Sequence, residues 1–232
     1  VPYGNTLALV GGEIQVTGGT LTAKSGHITM ASAASPGEVA LGTASTSPVR
    51  TASVASLGPV TLDGGARLDV SGSQSRGSGT VTIRSGRLVM QQATITADTP
   101  SLQPSASAAV DIHTTNELHL TRTAISANVS STGAGGDIRI QAGAIHLENA
   151  STLRARGSRG SAGTRGNITI AADSVNITGG SRLDTNTDGA GPGGNITVTA
   201  MDAVTIAGRD SANLQSGLVS DTTSTVMRGV WP

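Results

Sequence analysis

The chain has 232 residues, a formal net charge of zero, 32 Gly, no Cys and no Phe, with one Tyr and one Trp. That balance excludes nucleic acid or an anionic membrane as a partner chosen by bulk charge, and it excludes disulfides and thiolate metal sites. Tyr3 and Trp231 stand near the two ends, so the core between them must be built from Ile, Val, Leu and Ala and must be narrow.

Val1 begins without an initiator Met or a signal peptide, which reads as a mature fragment or an excised piece. Ile14/Val16, Leu21/Ala23 and Ile28/Met30 are short alternating pairs, and they predict one early coil of three strands. The stretch 31–50 is the least periodic and predicts a loop around a short strand at Val39/Leu41. Ala52/Val54, Val60/Leu62 and Leu68/Val70 predict the first, second and third strands of the next coil.

From residue 79 the pattern becomes a repeat. "GTVTI" (79–83), "AAVDI" (108–112), "GGDIRI" (135–140), "GNITI" (166–170) and "GNITV" (194–198) align at Val81, Val110, Ile138, Ile168 and Ile196, with steps of 29, 28, 30 and 28. Each copy adds a second alternating pair: Leu88/Met90, Leu118/Leu120, Ile145/Leu147, Val175/Ile177 and Val204/Ile206. A third follows in four of them, at Ile95/Ala97, Ile125/Ala127, Leu153/Ala155 and Leu183/Thr185. Gly, Ser, Asp and Asn fill the intervals, which is turn chemistry, and Pro stays at segment boundaries.

Three short strands per repeat of about 28–30 residues cannot bury their apolar faces alone but can stack. The expected fold is all-β: a right-handed parallel β-helix of about seven coils, each strand pairing with its equivalent one repeat away. Residues 1–50 would hold irregular coils and a loop, and 51–232 the regular coils, in one continuous solenoid.

"GGDIRIQAGAIHLENASTLRA", "GNITIAADSVNITGGSRLDT" and "GGNITVTAMDAVTI" resemble the repeats of filamentous-haemagglutinin-like exoproteins of the two-partner secretion class. The stretch 6–41 is similar to the segment that comes after the secretion domain in long members. The resemblance spans nearly the whole chain and implies a pectin-lyase-like β-helix. It further implies export across the outer membrane of a Gram-negative cell and adhesion or display at the cell surface. The Asn-Pro-Asn-Gly type motif of the family's secretion domain does not occur, so an outer-membrane transporter would be met only through a domain these residues lack.

Stacking the repeats places outward residues in register. His119 and His146 become neighbours on adjacent coils, flanked by Val89 and Asn176, and read as a surface ladder in preference to a metal site. Asp111/Arg139 and Arg154/Asp184 read as cross-strand charge pairs. "DTNTDG" supplies Asp184, Asn186 and Asp188 as candidate calcium ligands with Gly189 for the turn, although the closing position is Asn195 and not Glu. Asn128, Asn149, Asn167, Asn176 and Asn195 open N-x-S/T triplets, which the strand pattern explains more simply than glycosylation.

Clustered carboxylates, aromatic sugar platforms, nucleophile elbows and phosphate loops do not occur, so neither a catalytic residue nor a cofactor is expected. The expected role is a structural or adhesive passenger segment of a secreted or surface-displayed bacterial exoprotein. Its receptor or glycan is unspecified, and end-to-end self-association is expected. The alternatives are a polysaccharide-active enzyme on the same scaffold and a calcium-dependent surface-layer repeat.

Overall fold

The computed structural model describes residues 1–41, 49–100, 102–103, 105 and 108–221, and among these every regular element is a β-strand. The first coil is β1 (Thr6–Gly11), β2 (Ile14–Thr17) and β3 (Thr20–Thr22). The second is β4 (His27–Ser32), β5 (Pro59–Asp63) and β6 (Arg67–Asp69). The third is β7 (Thr80–Ser85), β8 (Arg87–Gln91) and β9 (Thr94–Thr96), and the fourth β10 (Ala108–Thr114), β11 (Glu117–Thr121) and β12 (Ala124–Ser126). The fifth is β13 (Asp137–Gln141), β14 (Ala144–Glu148) and β15 (Thr152–Arg154). In the last two, the first and second strands run on as one: β16 (Ile168–Thr178) with β17 (Arg182–Asp184), then β18 (Ile196–Ala207) with β19 (Gly217–Val219).

Every pairing between these strands is parallel and joins one coil to the next, which makes the chain a β-solenoid. Its third face is the seven-stranded ladder β19-β17-β15-β12-β9-β6-β3. Five regular turns begin at Val81, and two less regular ones precede them. The register is the one the repeat predicts: Val81 lies beside Val110, Val110 beside Ile138, Ile138 beside Ile168, and Ile168 beside Ile196.

Apolar residues at alternate positions fill the interior as columns. Ile28, Val81, Val110, Ile138 and Ile168 on the first face are fully buried, as are Val60, Leu88, Leu118, Ile145 and Val175 on the second. Leu68, Ile95, Ile125, Leu153 and Leu183 form the third column. Burial of each such side chain contributes about 1.5–3 kcal/mol. Thr185 replaces the alanine of the equivalent position, and its buried hydroxyl donates to the Gly194 carbonyl at 2.9 Å.

The corners are made by backbone conformation. The first residue after each second-face strand is Gly18, Gly64, Gln92, Arg122, Asn149, Gly179 or Gly208, and all seven have positive φ, between 52° and 81°. Left-handed backbone turns the chain sharply, and glycine adopts it without penalty. A second column stacks Gly136, Gly166 and Gly194 ahead of the first-face strands; a Cβ on Gly166 would strike the Gly136 carbonyl, and one on Gly194 the Gly166 carbonyl. The repeated glycine of "GGDIRI", "GNITI" and "GGNITV" is therefore a close-approach residue.

Polar ladders line the corners too. Asp137 Oδ1 accepts from the Asn167 N–H at 2.8 Å, and Asn167 Oδ1 accepts from the Asn195 N–H at 2.9 Å. At the next corner Asp98, Asn128 and Arg156 are linked in the same way. Asn167 and Asn195 thus serve the stack, as their equivalent places in the repeat predict, and Asn128 serves it at its own corner.

The N-terminal third departs from expectation. A strand at Thr6–Gly11 pairs with β4 and shifts the phase of the next strands. Ile14/Val16 and Leu21/Ala23 belong to the second and third faces, whereas Ile28/Met30 opens the next coil on the first face. Ala52/Val54 is not a first strand, because β4 already fills that place. Residues 33–58 are instead an insertion between β4 and β5. No strand forms at Val39/Leu41: Ala40 and Arg50 make a single antiparallel bridge with reciprocal hydrogen bonds of 3.0 Å, around residues 42–48, which lie outside the described residues.

Among the described residues, the first and last coils of the stack each have a neighbouring coil on one side only. On the last rung Val204, Ile206 and Leu218 are 41–46% exposed. Tyr3 is 59% exposed and does not seal the first. Trp231 and the tail 223–232 fall outside the described residues.

Candidate functional site

On the second face the predicted histidine ladder forms. His119 pairs with His146, with Val89 and Asn176 on either side, and the two rings stack at 4.5 Å with an interplanar angle of 13°. Glu117, two residues back on the same strand, comes within 3.1 Å of His119 Nε2, a contact the coil-to-coil alignment does not reveal. That hydrogen bond holds the Glu117 carboxyl below the usual carboxylate range. Arg87 lies 3.5 Å from the same oxygen.

The charge pairs have the predicted register but different partners. Asp111 lies beside Arg139 and Arg154 beside Asp184, yet neither forms the expected ion pair. Asp111 is held by Arg84 at 2.6 Å, diagonally across the ladder, and Arg139 turns to Asp137 on its own strand at 2.7 Å. Asp184 receives Arg156 at 3.2 Å. The reason is reach: a guanidinium on a long stem finds a diagonal or i−2 neighbour as readily as the residue directly opposite. At the N-terminal end Lys24 meets Asp69 at 2.6 Å; burial alone would raise that carboxyl, but the ammonium and Ser71 hold it below its ordinary value.

The candidate calcium residues lie in the turn after β17. Asp184 Oδ1 accepts the Asn186 N–H at 3.0 Å as well as the Arg156 guanidinium, and Asn186 Oδ1 accepts the Asp221 N–H at 2.7 Å. Asp188 belongs instead to a small cleft of about 300 Å³ with Asp98, Asn128, Arg154, Arg156 and Ser158. Asp184 and Asn186 therefore each spend an oxygen on the protein itself. Among the described residues no group of three or more His, Cys, Asp or Glu side chains is placed to hold a metal ion.

Asp98 is the acid of that cleft, and burial pushes its carboxyl above the ordinary value against the opposing hydrogen bond from Asn128. Its role was not visible in the sequence, since Asp98 stands outside the alternating pairs.

A larger concavity, about 560 Å³, opens where the second face turns into the third. It runs from Arg122 of the fourth coil past Asn149, Thr152 and Arg154 of the fifth to Arg209 and Asp210 beyond β18. Arg209 is braced by the carbonyl and the side-chain oxygen of Asn213, at 3.0 and 3.2 Å. The guanidinium groups of Arg122 and Arg154 make no hydrogen bond or ion pair with the described residues. Alternation patterns cannot reveal this cleft, because two of its arginines sit in corners and not in strands.

Compared with protein-family models, curated proteins and solved structures, the chain matches none. The β-solenoid stands on its own geometry.

Proposed function

We propose that this chain is a structural and adhesive passenger segment of a secreted or surface-displayed bacterial exoprotein of the filamentous-haemagglutinin type. The observation that supports the reading is the stack itself: three parallel faces keep register from β1 to β19, across an insertion of 33–58, as a stiff spacer requires. The repeat motifs favour the same class through their resemblance to exoprotein repeats. Outward charges close on their neighbours at Lys24–Asp69, Arg84–Asp111, Arg139–Asp137 and Arg156–Asp184, which leaves those carboxylates unsuited to proton transfer.

One observation favours a polysaccharide-active enzyme as the second reading: Asp98, with its raised carboxyl, shares a cleft with Asp188 and two arginines. Product release from a panel of pectin-, alginate- and glucan-type polymers, with and without calcium, separates the two. The passenger reading predicts no new reducing ends and no unsaturated products. Turnover abolished by Asp98→Asn, Asp111→Ala or Asp184→Ala would replace it with the enzyme.

A further inference from the structure

The second face gathers imidazoles and carboxylates at one spot. Glu117 and His119 alternate on β11, His146 and Glu148 on β14, and all four point away from the core. Parallel pairing puts His146 directly beside His119, one rung of about 4.8 Å away. Val89 on one side and Asn176 on the other end the series, so the two imidazoles form an isolated pair. His27 and His113 stand on the first face, and neither has a histidine beside it on the ladder.

Two of these groups already sit at chelating distance. His119 Nε2 and Glu117 Oε2 lie 3.1 Å apart. An ion about 2.1 Å from each atom would bridge that gap at close to a right angle, which Zn²⁺, with no d-electron preference of geometry, accepts. The ion would take the place of the proton that the contact now shares. His146 supplies the third ligand. Its ring stacks on His119 at 4.5 Å and 13°, and a ring so stacked cannot aim its nitrogen into the plane of the other. Accordingly no three such side chains stand ready as a set among the described residues. Rotation about the bond to a histidine ring is soft, and His146 is only partly buried, so a turn of its ring brings the nitrogen to the same ion. Charge favours a cation as well. Glu117 and Glu148 oppose the single positive charge of Arg87, while Ser174 and Asn176 on the next coil are neutral.

We infer that Glu117, His119 and His146 form a site for a divalent transition ion of the Zn²⁺ type, with water completing its coordination. Mixed imidazole and carboxylate donors suit such an ion better than Ca²⁺ or Mg²⁺, which take oxygen ligands. Bound there, the ion ties β11 to β14, a staple between the fourth and fifth coils that stabilises the folded chain by mass action.

The test is calorimetric titration of the metal-free full chain with zinc chloride, and with calcium chloride for comparison. Register supplies the variants. His119→Val copies Val89, His146→Asn copies Asn176 and Glu117→Ala copies Ala144, each a residue that an adjacent coil already places at the same position. All three should therefore keep the parent's circular dichroism, which separates loss of a ligand from loss of the fold. His113→Gln, which copies Gln141, removes a histidine outside the site. Zn²⁺ is expected to bind at one site per chain and to raise the melting temperature. Each of the three ligand variants should lose about tenfold or more in affinity, at least what removal of a supporting partner costs a metal site. His113→Gln should bind as the parent does, and Ca²⁺ should bind far more weakly than Zn²⁺. Absence of Zn²⁺ binding, or undiminished affinity in any folded ligand variant, would overturn the inference. So would a loss in His113→Gln as large as that in His119→Val, or Ca²⁺ binding as tight as that of Zn²⁺.

Discussion

Ile168 and Thr169 are adjacent in sequence and opposite in consequence. Ile168 is fully buried between Ile138 and Ile196, while Thr169 faces solvent beside Arg139. Ile168→Asp would place a carboxylate in an apolar column and is expected to lower stability by about 3–5 kcal/mol, whereas Thr169→Asp should fall within about 0.5 kcal/mol of the parent. Chemical denaturation of the pair measures the contrast, and equal midpoints would contradict the columnar core. Asp98 supplies a second test. Its carboxyl is raised in the folded state, so the folded chain holds more protons than the unfolded one between the two values, and stability falls as pH rises through that window. Asp98→Asn keeps an oxygen acceptor for the Asn128 N–H and removes the charge. The variant should melt higher than the parent at pH 7, with the gain gone below about pH 3.9, where an ordinary Asp is protonated. A gain independent of pH would point to packing and not to charge.

At the scale of the element, the strands were legible wherever apolar and polar residues alternate between turn residues. Val81, Val110, Ile138, Ile168 and Ile196 align in the structure as their spacing says, because a one-residue slip would turn each whole face to water. The run "TLALV" hid β1: Ala8 and Val10 are apolar though outward-facing, so the alternation that marks a strand is blurred. The fusion of first and second strands in β16 and β18 was also illegible, since a bulge at Ala172/Ser174 carries the ladder round a corner that other coils break. The ion-pair partners were beyond reach for a different reason: register fixes Cα positions, and long side chains choose among several neighbours. Buried corner ladders fall between these cases. Ser151 Oγ accepts the Thr123 N–H at 3.2 Å and donates to the Leu120 or Glu148 carbonyl, at 2.9 and 2.8 Å, while Ser181 Oγ accepts the Ser151 N–H at 3.1 Å. Ser151→Ala leaves a buried N–H unsatisfied and should cost about 1–3 kcal/mol. Ser151→Thr, which copies Thr123 of the coil before, should restore most of it. Equal melting temperatures for Ser151→Ala and the parent would show that the ladder is ornamental.

Across the described residues, contacts run from each coil to the next, and β1–β3 and β18–β19 are the outermost strands of the stack. The exposed Val204, Ile206 and Leu218 of the last described rung offer apolar side chains along an edge strand, the kind of edge that pairs with another chain. End-to-end association that grows with concentration is the expected behaviour. Light scattering across a dilution series measures it, and charges introduced at Val204 and Leu218 should suppress it. A strict monomer at high concentration would contradict it. The corner cleft lined by Arg122, Arg154 and Arg209 belongs to this scale as well. Its arginines lie up to three coils apart, and no window of the sequence shows them as neighbours until the coils are stacked.

The insertion 33–58 carries one more consequence. β4 keeps unbroken register with β1 and β7, and β5 with β2 and β8, although 26 residues leave and rejoin the stack between them. Closing a loop of that length costs little more than closing a shorter one, because the entropy grows only with the logarithm of length. The corner between the first and second faces is therefore a permissive graft point. A foreign peptide spliced in place of part of 33–58 would be held out from a rigid shaft, at an address set by the rung from which it leaves.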